Sequence, residues 1–242
     1  MIKTKSGNIS YYQSEQLLNY SAIEHFFSTR KSGFDELEQF SKVIGIPLSN
    51  IIIPKQTHSA NIKIIDASNE DQFHTDIDAL ITQQAGICIA VKTADCTPVL
   101  LFDPVEKVIA AIHSGWRGTA QNIAGKTVEK LIHQFNSNPE NIVAAIGPSI
   151  GQENYEVGPE VILKFHQLFP DNTSILGFTG LANGKAKLSA RHAIFEQLLK
   201  AGLTQRHIEI SSLCTFHNAD DFYSARRDGP QTGRMINGIM LK

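Results

Sequence analysis

An α/β or α+β fold with mixed sheets is what this 242-residue sequence predicts, on three observations. Short apolar runs crowd residues 79–112, turn signals separate some of them as hairpins, and later strand-like runs alternate with helix-like spacing. Residues 62–65 and Ala79–Thr82 are short runs rich in β-branched residues and read as strands, the second preceded by Asp76 and Asp78. Residues 87–91, 99–102 and 108–112 are apolar almost throughout, which marks buried strands at the core of a sheet.

Asp103-Pro104 is a strong turn signal, since Asp suits the first position of a type I turn and Pro presets φ at the second. Residues 99–102 and 108–112 therefore form a hairpin. A four-residue loop at 103–106 pairs Phe102 with Lys107, and counting back sets Cys96 opposite His113, about 4.5–5.5 Å apart at Cβ. Pro98 has no N–H to give the ladder and is expected to splay its open end. Beyond it, Ile123, Val128, Leu131, Ile132 and Phe135 have helical spacing, with Thr119 as the expected N-cap and 136–139 as the stop. Further strands are expected at 142–146, 208–211 and 235–240, and helices at Pro159–Leu168 and 190–201.

Charge and composition exclude several function classes. The 22 Lys and Arg against 24 Asp and Glu leave a net charge of -2, without the basic field a dedicated nucleic-acid binder needs. With 42% hydrophobic residues and only nine prolines, the chain can bury a core, which rules out disorder as the main state. No linker or charge block divides it, so one domain spanning 1–242 is expected. Lys3 and Lys5 are followed by polar residues where a signal peptide needs an apolar run, and the longest apolar runs span about a quarter of a membrane. The expectation is a soluble, cytoplasmic protein with no membrane partner. Cys88, Cys96 and Cys214, odd in number and widely spaced, fit reduced thiols.

The segment Thr93-Ala94-Asp95-Cys96-Thr97-Pro98 faces Ile112-His113-Ser114-Gly115-Trp116-Arg117-Gly118 across the expected hairpin. A thiol and an imidazole placed so are half of a metal site, or a nucleophile and its base, or simply a buried thiol beside a hydrogen-bonded histidine. His58, just before the 62–65 strand, is the best third ligand; two His and one Cys with an open fourth position is a set known for catalytic zinc. Nine histidines leave His25, His74 and His217 as rivals. Gly115, Arg117 and Gly118 combine glycine-turn amides with a guanidinium and suit a phosphate or carboxylate, although close strand–helix packing explains the glycines equally well. Arg226, Arg227 and Arg234 lie near Phe222 and Tyr223, either to grip an anionic or planar ligand or to pair with Asp220, Asp221 and Asp228. Asp78, Asp95 and Arg30 flank apolar segments, where each taken alone reads as structural.

Taken together, these residues resemble the YfiH-like family, variously described as laccase-domain, polyphenol-oxidase-like, peptidoglycan-editing and purine nucleoside phosphorylase proteins. The resemblance rests on Ser28-Thr29-Arg30, Gln56-Thr57-His58, Asp76-Ile77-Asp78 through Thr82, the two segments around Cys96 and His113, and Cys214-Thr215 through Phe222, Arg226-Arg227 and Thr232-Gly233-Arg234. It implies a layered α/β fold with two mixed sheets, and it maps His58, Cys96 and His113 onto the family's zinc ligands. It also implies phosphorolysis of adenosine, inosine, guanosine and methylthioadenosine, with adenosine deamination; copper would be needed for the oxidase label. Arg30 and Arg117 fall in family segments, and their charge suggests phosphate or substrate contact, as does that of Arg226 and Arg227. Asp95 is the candidate acid for the leaving purine. The chain departs from many relatives after Arg30, reading Lys31-Ser32-Gly33-Phe34-Asp35-Glu36-Leu37 where they have a glycine pair and a longer loop, which implies a reduced rim to the site.

Three other readings compete. One is a Cys–His hydrolase or peptidoglycan-editing factor with Cys96 as nucleophile and His113 as base. Another is a copper-loaded oxidase, and a third is a binding module whose zinc is closed by Asp95 or His217. The His-x-Glu and Pro-Cys-x-x-Cys signature of the known zinc deaminases does not occur here.

Overall fold

The structure is a computed structural model that describes residues 1–68, 74–170, 172–177 and 184–242. Its strands and helices are numbered in chain order. One six-stranded sheet has the spatial order β1 (Ile2–Ser6), β2 (Ile9–Gln13), β3 (Ile23–Ser28), β15 (Met235–Leu241), β7 (Cys88–Thr93), β4 (Ile51–Ile52). A second runs β14 (Ile208–Ile210), β10 (Val143–Ile146), β8 (Thr97–Asp103), β9 (Val108–Ser114), β6 (Ala79–Thr82), β5 (Ile62–Ile64). Both mix parallel and antiparallel pairs, since β4–β7, β5–β6 and β10–β14 are parallel. A small third sheet joins β11 (Glu156–Val157), β13 (Ala186–Leu188) and β12 (Leu176–Gly177). The helices are α1 (Leu37–Ile44), α2 (Trp116–Ala120), α3 (Ile123–Phe135), α4 (Pro159–Leu168), α5 (Ala190–Lys200) and α6 (Ala225–Asp228).

Strand alternation explains the layering. Phe27, Ile89, Val91 and Ile239 of the first sheet meet Leu80, Leu100, Phe102, Ile109 and Ala111 of the second, so the two sheets share one core. The intervening residues Ala79, Ile81, Val99, Leu101, Ala110 and Ile112 point the other way, onto Ile123, Val128 and Leu131 of α3 and Ile194 and Leu198 of α5. This is why β8 and β9 read as unbroken apolar runs: both faces are covered. Phe40 of α1 closes the outer face of the first sheet, and α4 packs on the third.

The hairpin register differs from the sequence expectation by two residues. Asp103 pairs with Val108, Phe102 with Ile109 and Pro98 with His113, so the four-residue loop is 104–107. Two local features set it. Asp103 Oδ1 accepts from the amides of Val105 (2.9 Å) and Glu106 (3.2 Å), which caps the turn from within the ladder. Lys107 then takes φ of 51°, a left-handed conformation that a lysine does not advertise. Nor does Pro98 splay the ladder, which continues to Thr97–Ser114, while the Pro98 carbonyl accepts from Gly147 N. Cys96 thus lies just beyond the ladder, on the segment that crosses from β7 in the first sheet to β8 in the second.

Thr119 is not an N-cap. It sits inside α2, its hydroxyl on the Gly115 carbonyl (2.9 Å) and against Ser114 Oγ (2.8 Å), and Asn122 at φ 61° separates α2 from α3.

His25, on β3, is buried, and its Nε2 accepts from Ser14 N at 2.8 Å. Burial pushes the imidazole from 6.5 down to about 4, outweighing the opposing effects of the Ser14 hydrogen bond and of Glu24 and Glu209. Between these values the unfolded chain binds the proton and the folded one does not, so stability falls as pH drops from 6.5 toward 4. Urea unfolding across that window should show this loss, and His25→Gln should flatten it; an unchanged pH profile in the variant would contradict the assignment.

Candidate metal centre and active site

Two ladders and one loop bring the centre together. The β6–β9 register that pairs Ala79 with Ile112 sets Asp78 across from His113, and His113 N donates to the Asp78 carbonyl at 2.7 Å. The parallel β5–β6 pair sets the loop before Ile62 beside Asp78, whose amide reaches the Asn61 carbonyl. Asp78 is fully buried, and its carboxylate gathers this corner. It accepts from the amides of Thr57, His58 and Ser59 and from Ser59 Oγ, at 2.7–3.2 Å, and it meets His113 Nδ1 at 2.7 Å. One carboxylate therefore fixes the backbone of the His58 loop and the ring of His113. With the Nδ1 proton given to Asp78, His113 presents its Nε2 lone pair to the centre.

The resulting cluster is His58, Cys96 and His113, with one donor atom from each and all three atoms within 4.8 Å of one another. Cys96 Sγ lies 3.8 Å from His58 Nε2, and the two imidazoles meet edge to face with centroids 4.9 Å apart. Gly115 completes the cradle: a Cβ there would stand 2.8 Å from His58 Cδ2 and 3.1 Å from Cys96 Sγ. Two imidazole nitrogens and one thiolate of this spacing fit a zinc or copper ion with a coordination position to spare.

Without a metal the cluster's charges are those of a thiolate beside a protonated imidazole, whose Nε2 proton a bound metal would displace. Burial raises the Cys96 thiol, but the His113 charge and the hydrogen bonds to both histidines outweigh it and bring the thiol well below its usual value. Burial also opposes the charge on His113, yet Cys96 and Asp78 hold its proton more tightly than usual. Asp78 is held down at about 2, since the His113 and Ser59 hydrogen bonds overcome its desolvation.

The cluster lines a cavity of about 580 Å³ whose wall also includes Lys55, Gln56, Lys92, Asp95, Gly115, Trp116, Tyr155, Arg226 and Arg234. Gln56 ties the His58 loop to β7 through a two-way bond, donating to the Lys92 carbonyl and accepting from its amide, both at 2.8 Å. Trp116 carries the guanidinium of Arg117 over its ring at 4.3 Å, and Tyr155 carries that of Arg226 at 5.4 Å. Burial, with Cys96 and Asp95 nearby, raises the Tyr155 phenol, so it remains a donor at neutral pH.

Other candidates from the sequence fall elsewhere. Arg30 donates to the Ala219 carbonyl (2.8 Å) and lies over Tyr223, Arg227 is bound to Asp228 and to three carbonyls, and Arg117 is exposed; none of the three lines the cavity. Gly118 is buried against the Ser59 carbonyl, where a Cβ would come within 3.1 Å, so it seats α2 on the His58 loop rather than facing a ligand. The glycine turn opens the five-residue α2, in which Thr119 N donates to Gly115 O, and Gly115 itself lines the cavity. Asp95, at φ 89°, does border the cavity, but its oxygens accept from Thr215 Oγ1 (2.6 Å), Ser224 Oγ (3.0 Å) and Arg226 N (2.7 Å). That carboxylate organises the C-terminal wall and is not placed as a proton donor. His217 is exposed and outside the metal-ligating cluster. Lys55, Lys92, Tyr155 and the organising role of Asp78 had no reading in the sequence; the signal for Asp78 was its position immediately before β6.

A family model described as multi-copper polyphenol oxidoreductase laccase matches residues 30–242. The chain belongs to this family. It is 35% identical to a purine nucleoside phosphorylase of Bacteroides thetaiotaomicron over 98% of both chains. It is 36% identical to adenosine deaminase RL5 of an unknown prokaryotic organism, over 82% of this chain and 78% of that one. The crystal structure of YlmD from Geobacillus stearothermophilus superposes with a TM-score of 0.91 at 25% identity, covering 100% of this chain and 99% of that chain. YfiH from Bacillus licheniformis does so at 0.90 and 27%, over 99% of both. The layered fold with two mixed sheets is thus that of the YfiH and YlmD structures, and the curated relatives carry enzyme names. No helix of the described residues is long and apolar enough to cross a membrane.

Gly115→Ala should act on the ligands rather than on the fold. Gly115 has φ of -74°, so the backbone tolerates alanine, and the atoms nearest the added methyl belong to His58 and Cys96. Metal affinity should fall about tenfold with an unchanged unfolding midpoint of the metal-free protein; wild-type affinity would show that the cradle has slack.

Proposed function

We propose that this protein is a zinc-dependent enzyme of purine nucleosides, carrying out phosphorolysis of adenosine, inosine, guanosine and methylthioadenosine and deamination of adenosine. The observation that carries the reading is the His58–Cys96–His113 cluster in the wall of a cavity of about 580 Å³, a volume suited to a nucleoside. The names of the curated relatives support the choice of substrate. Zinc held by these three residues would polarise a water or a substrate oxygen.

The chain's own groups supply the rest. Trp116 and Tyr155 offer aromatic walls for a planar base. Tyr155, kept protonated by burial, has a hydroxyl to donate. Lys55, Lys92, Arg226 and Arg234 make the wall cationic, and Asp95, the carboxylate among the lining residues, is occupied by its three donors. Such a wall holds phosphate near a ribose whose anomeric carbon becomes cation-like as the base leaves. Asp78 keeps the His113 ring oriented throughout.

The test is product analysis of adenosine incubated with zinc-loaded protein, with and without phosphate. Ribose 1-phosphate and adenine report phosphorolysis, inosine reports deamination, and neither product from wild type would overturn the reading.

One observation favours a second reading. Cys96, His113 and Asp78 also stand in the order of a nucleophile, its base and the base's orienting carboxylate, as a Cys–His hydrolase requires. Metal decides between them: bound zinc occupies the thiolate, whereas a metal-free protein leaves Cys96 open to alkylation. Turnover of phenols only after copper loading would mark an oxidase instead.

A further inference from the structure

Lys92 on β7 and Arg234, the residue just before β15, face the same cavity. The β7–β15 register pairs Lys92 with Ile236, so Arg234 lies two positions along, diagonally across the ladder, where side chains of one face come within reach of each other. Among the described residues neither side chain makes an ion pair within 4 Å. The Lys92 ammonium has no hydrogen-bond acceptor there either; it rests 4.5 Å over the Phe34 ring. Its charge is disfavoured first by burial and then by Arg234, the mark of two cations held together without an anion.

Arg234 is immobilised by its own loop. Its Nη atoms donate to the carbonyls of Pro230 (2.8 Å), Gly233 (3.1 Å) and Thr232. These acceptors fix the plane of the guanidinium without cancelling its charge, and Nε–H stays free of them. The segment after Arg30 closes over the pair: Phe34 N donates to the Arg234 carbonyl at 2.8 Å, and a Cβ on Gly33 would stand 2.7 Å from that same oxygen.

We infer that Lys92 and Arg234 form an oxyanion subsite of the cavity, built for a tetrahedral dianion such as inorganic phosphate, with Phe34 as its cover. The inference deepens the phosphorolysis reading and rests on it for the identity of the anion. Of the arginines the sequence offered for an anion, Arg30, Arg117, Arg226, Arg227 and Arg234, it selects Arg234 and joins it to Lys92, which the sequence did not single out. A guanidinium fixed in advance loses little freedom on binding, and a lysine with three unmet N–H groups gains hydrogen bonds as well as charge.

The test is calorimetric titration of zinc-loaded protein with inorganic phosphate, and with sulfate as an unreactive tetrahedral probe. Lys92→Met and Arg234→Gln should each weaken phosphate binding about 10- to 100-fold, the range for losing a hydrogen bond to a charged group. Lys92→Arg should retain most of it, and Arg117→Gln should bind as wild type does. Zinc content and unfolding midpoint, measured in parallel, show that each variant is folded and loaded; because the two replacements lie on different segments, either one alone carries the test. Wild-type affinity in a folded Lys92→Met or Arg234→Gln protein, loss of binding in Arg117→Gln, or no binding by wild type would overturn the subsite. Phosphate binding at this pair without any ribose 1-phosphate would defeat nucleoside phosphorolysis and leave the subsite standing. Phosphorolysis with an unchanged phosphate KM in Lys92→Met would do the reverse.

Discussion

Cys96→Ser and His113→Ala proteins should each purify with less than one zinc per chain and turn over adenosine more than about a thousandfold more slowly than wild type, with or without phosphate. The size of the effect follows from what is lost. The cluster is composed of three donors, and removal of one leaves two for an ion that must also keep a place for substrate. Polarisation of a bound oxygen contributes several kcal/mol to the barrier, which is three or more powers of ten in rate. The fold should survive, because Cys96 lies outside the β8–β9 ladder and the His113 amide keeps its bond to the Asp78 carbonyl whatever its side chain. Unfolding midpoints of metal-free wild type and Cys96→Ser should agree within a few degrees. Retention of zinc and of activity by either variant would show that the cluster is not the working centre.

Asp78→Asn should combine a stability loss with a metal loss. The carboxylate accepts from three backbone amides, one hydroxyl and the His113 ring, all in a fully buried position. An asparagine has one acceptor oxygen, and its NH₂ group would face donors where the carboxylate had a lone pair. Breaking a buried charged pair costs about 3–5 kcal/mol, which for a chain of this length lowers Tm by roughly 10 °C. Zinc affinity should drop about 10- to 100-fold at the same time, because His113 loses the partner that fixes its tautomer and the His58 loop loses its anchor. Calorimetric Tm and a competitive zinc titration check both parts. Wild-type values for both in Asp78→Asn would remove the carboxylate from the account.

The parts of the fold that were legible in the sequence are those where burial dominates. The runs at 99–102 and 108–112 are central strands covered on both faces, and Pro159–Leu168 is a helix with the bounds its pattern gives. What stayed hidden was exposed or set by backbone geometry. The strand β1, Ile2–Ser6, alternates lysines with other residues on an open sheet edge, so nothing apolar announces it. The hairpin register turned on the Asp103 cap and on a left-handed Lys107, and a two-residue shift followed.

The site divides the same way. Cys96 and His113 emerged from the hairpin, whereas His58 was one histidine of nine until family resemblance selected it. Asp78 looked structural because its importance arises from the meeting of three segments, β6, β9 and the His58 loop, which no local spacing reveals. The arginines divide for a simpler reason: sequence gives a charge its neighbours in the chain but not the direction it faces. Arg227 turns to Asp228 and nearby carbonyls while Arg226, one residue earlier, borders the cavity.

The most direct test of the account is X-ray absorption at the zinc edge on the purified, full-length protein. One zinc per chain with one sulfur at about 2.3 Å, two nitrogens at about 2.0–2.1 Å and a further light-atom ligand is the expected result, the sulfur vanishing in Cys96→Ala. Zinc bound without sulfur, or a zinc-reconstituted protein whose Cys96 is alkylated as fast as in the metal-free form, would contradict it.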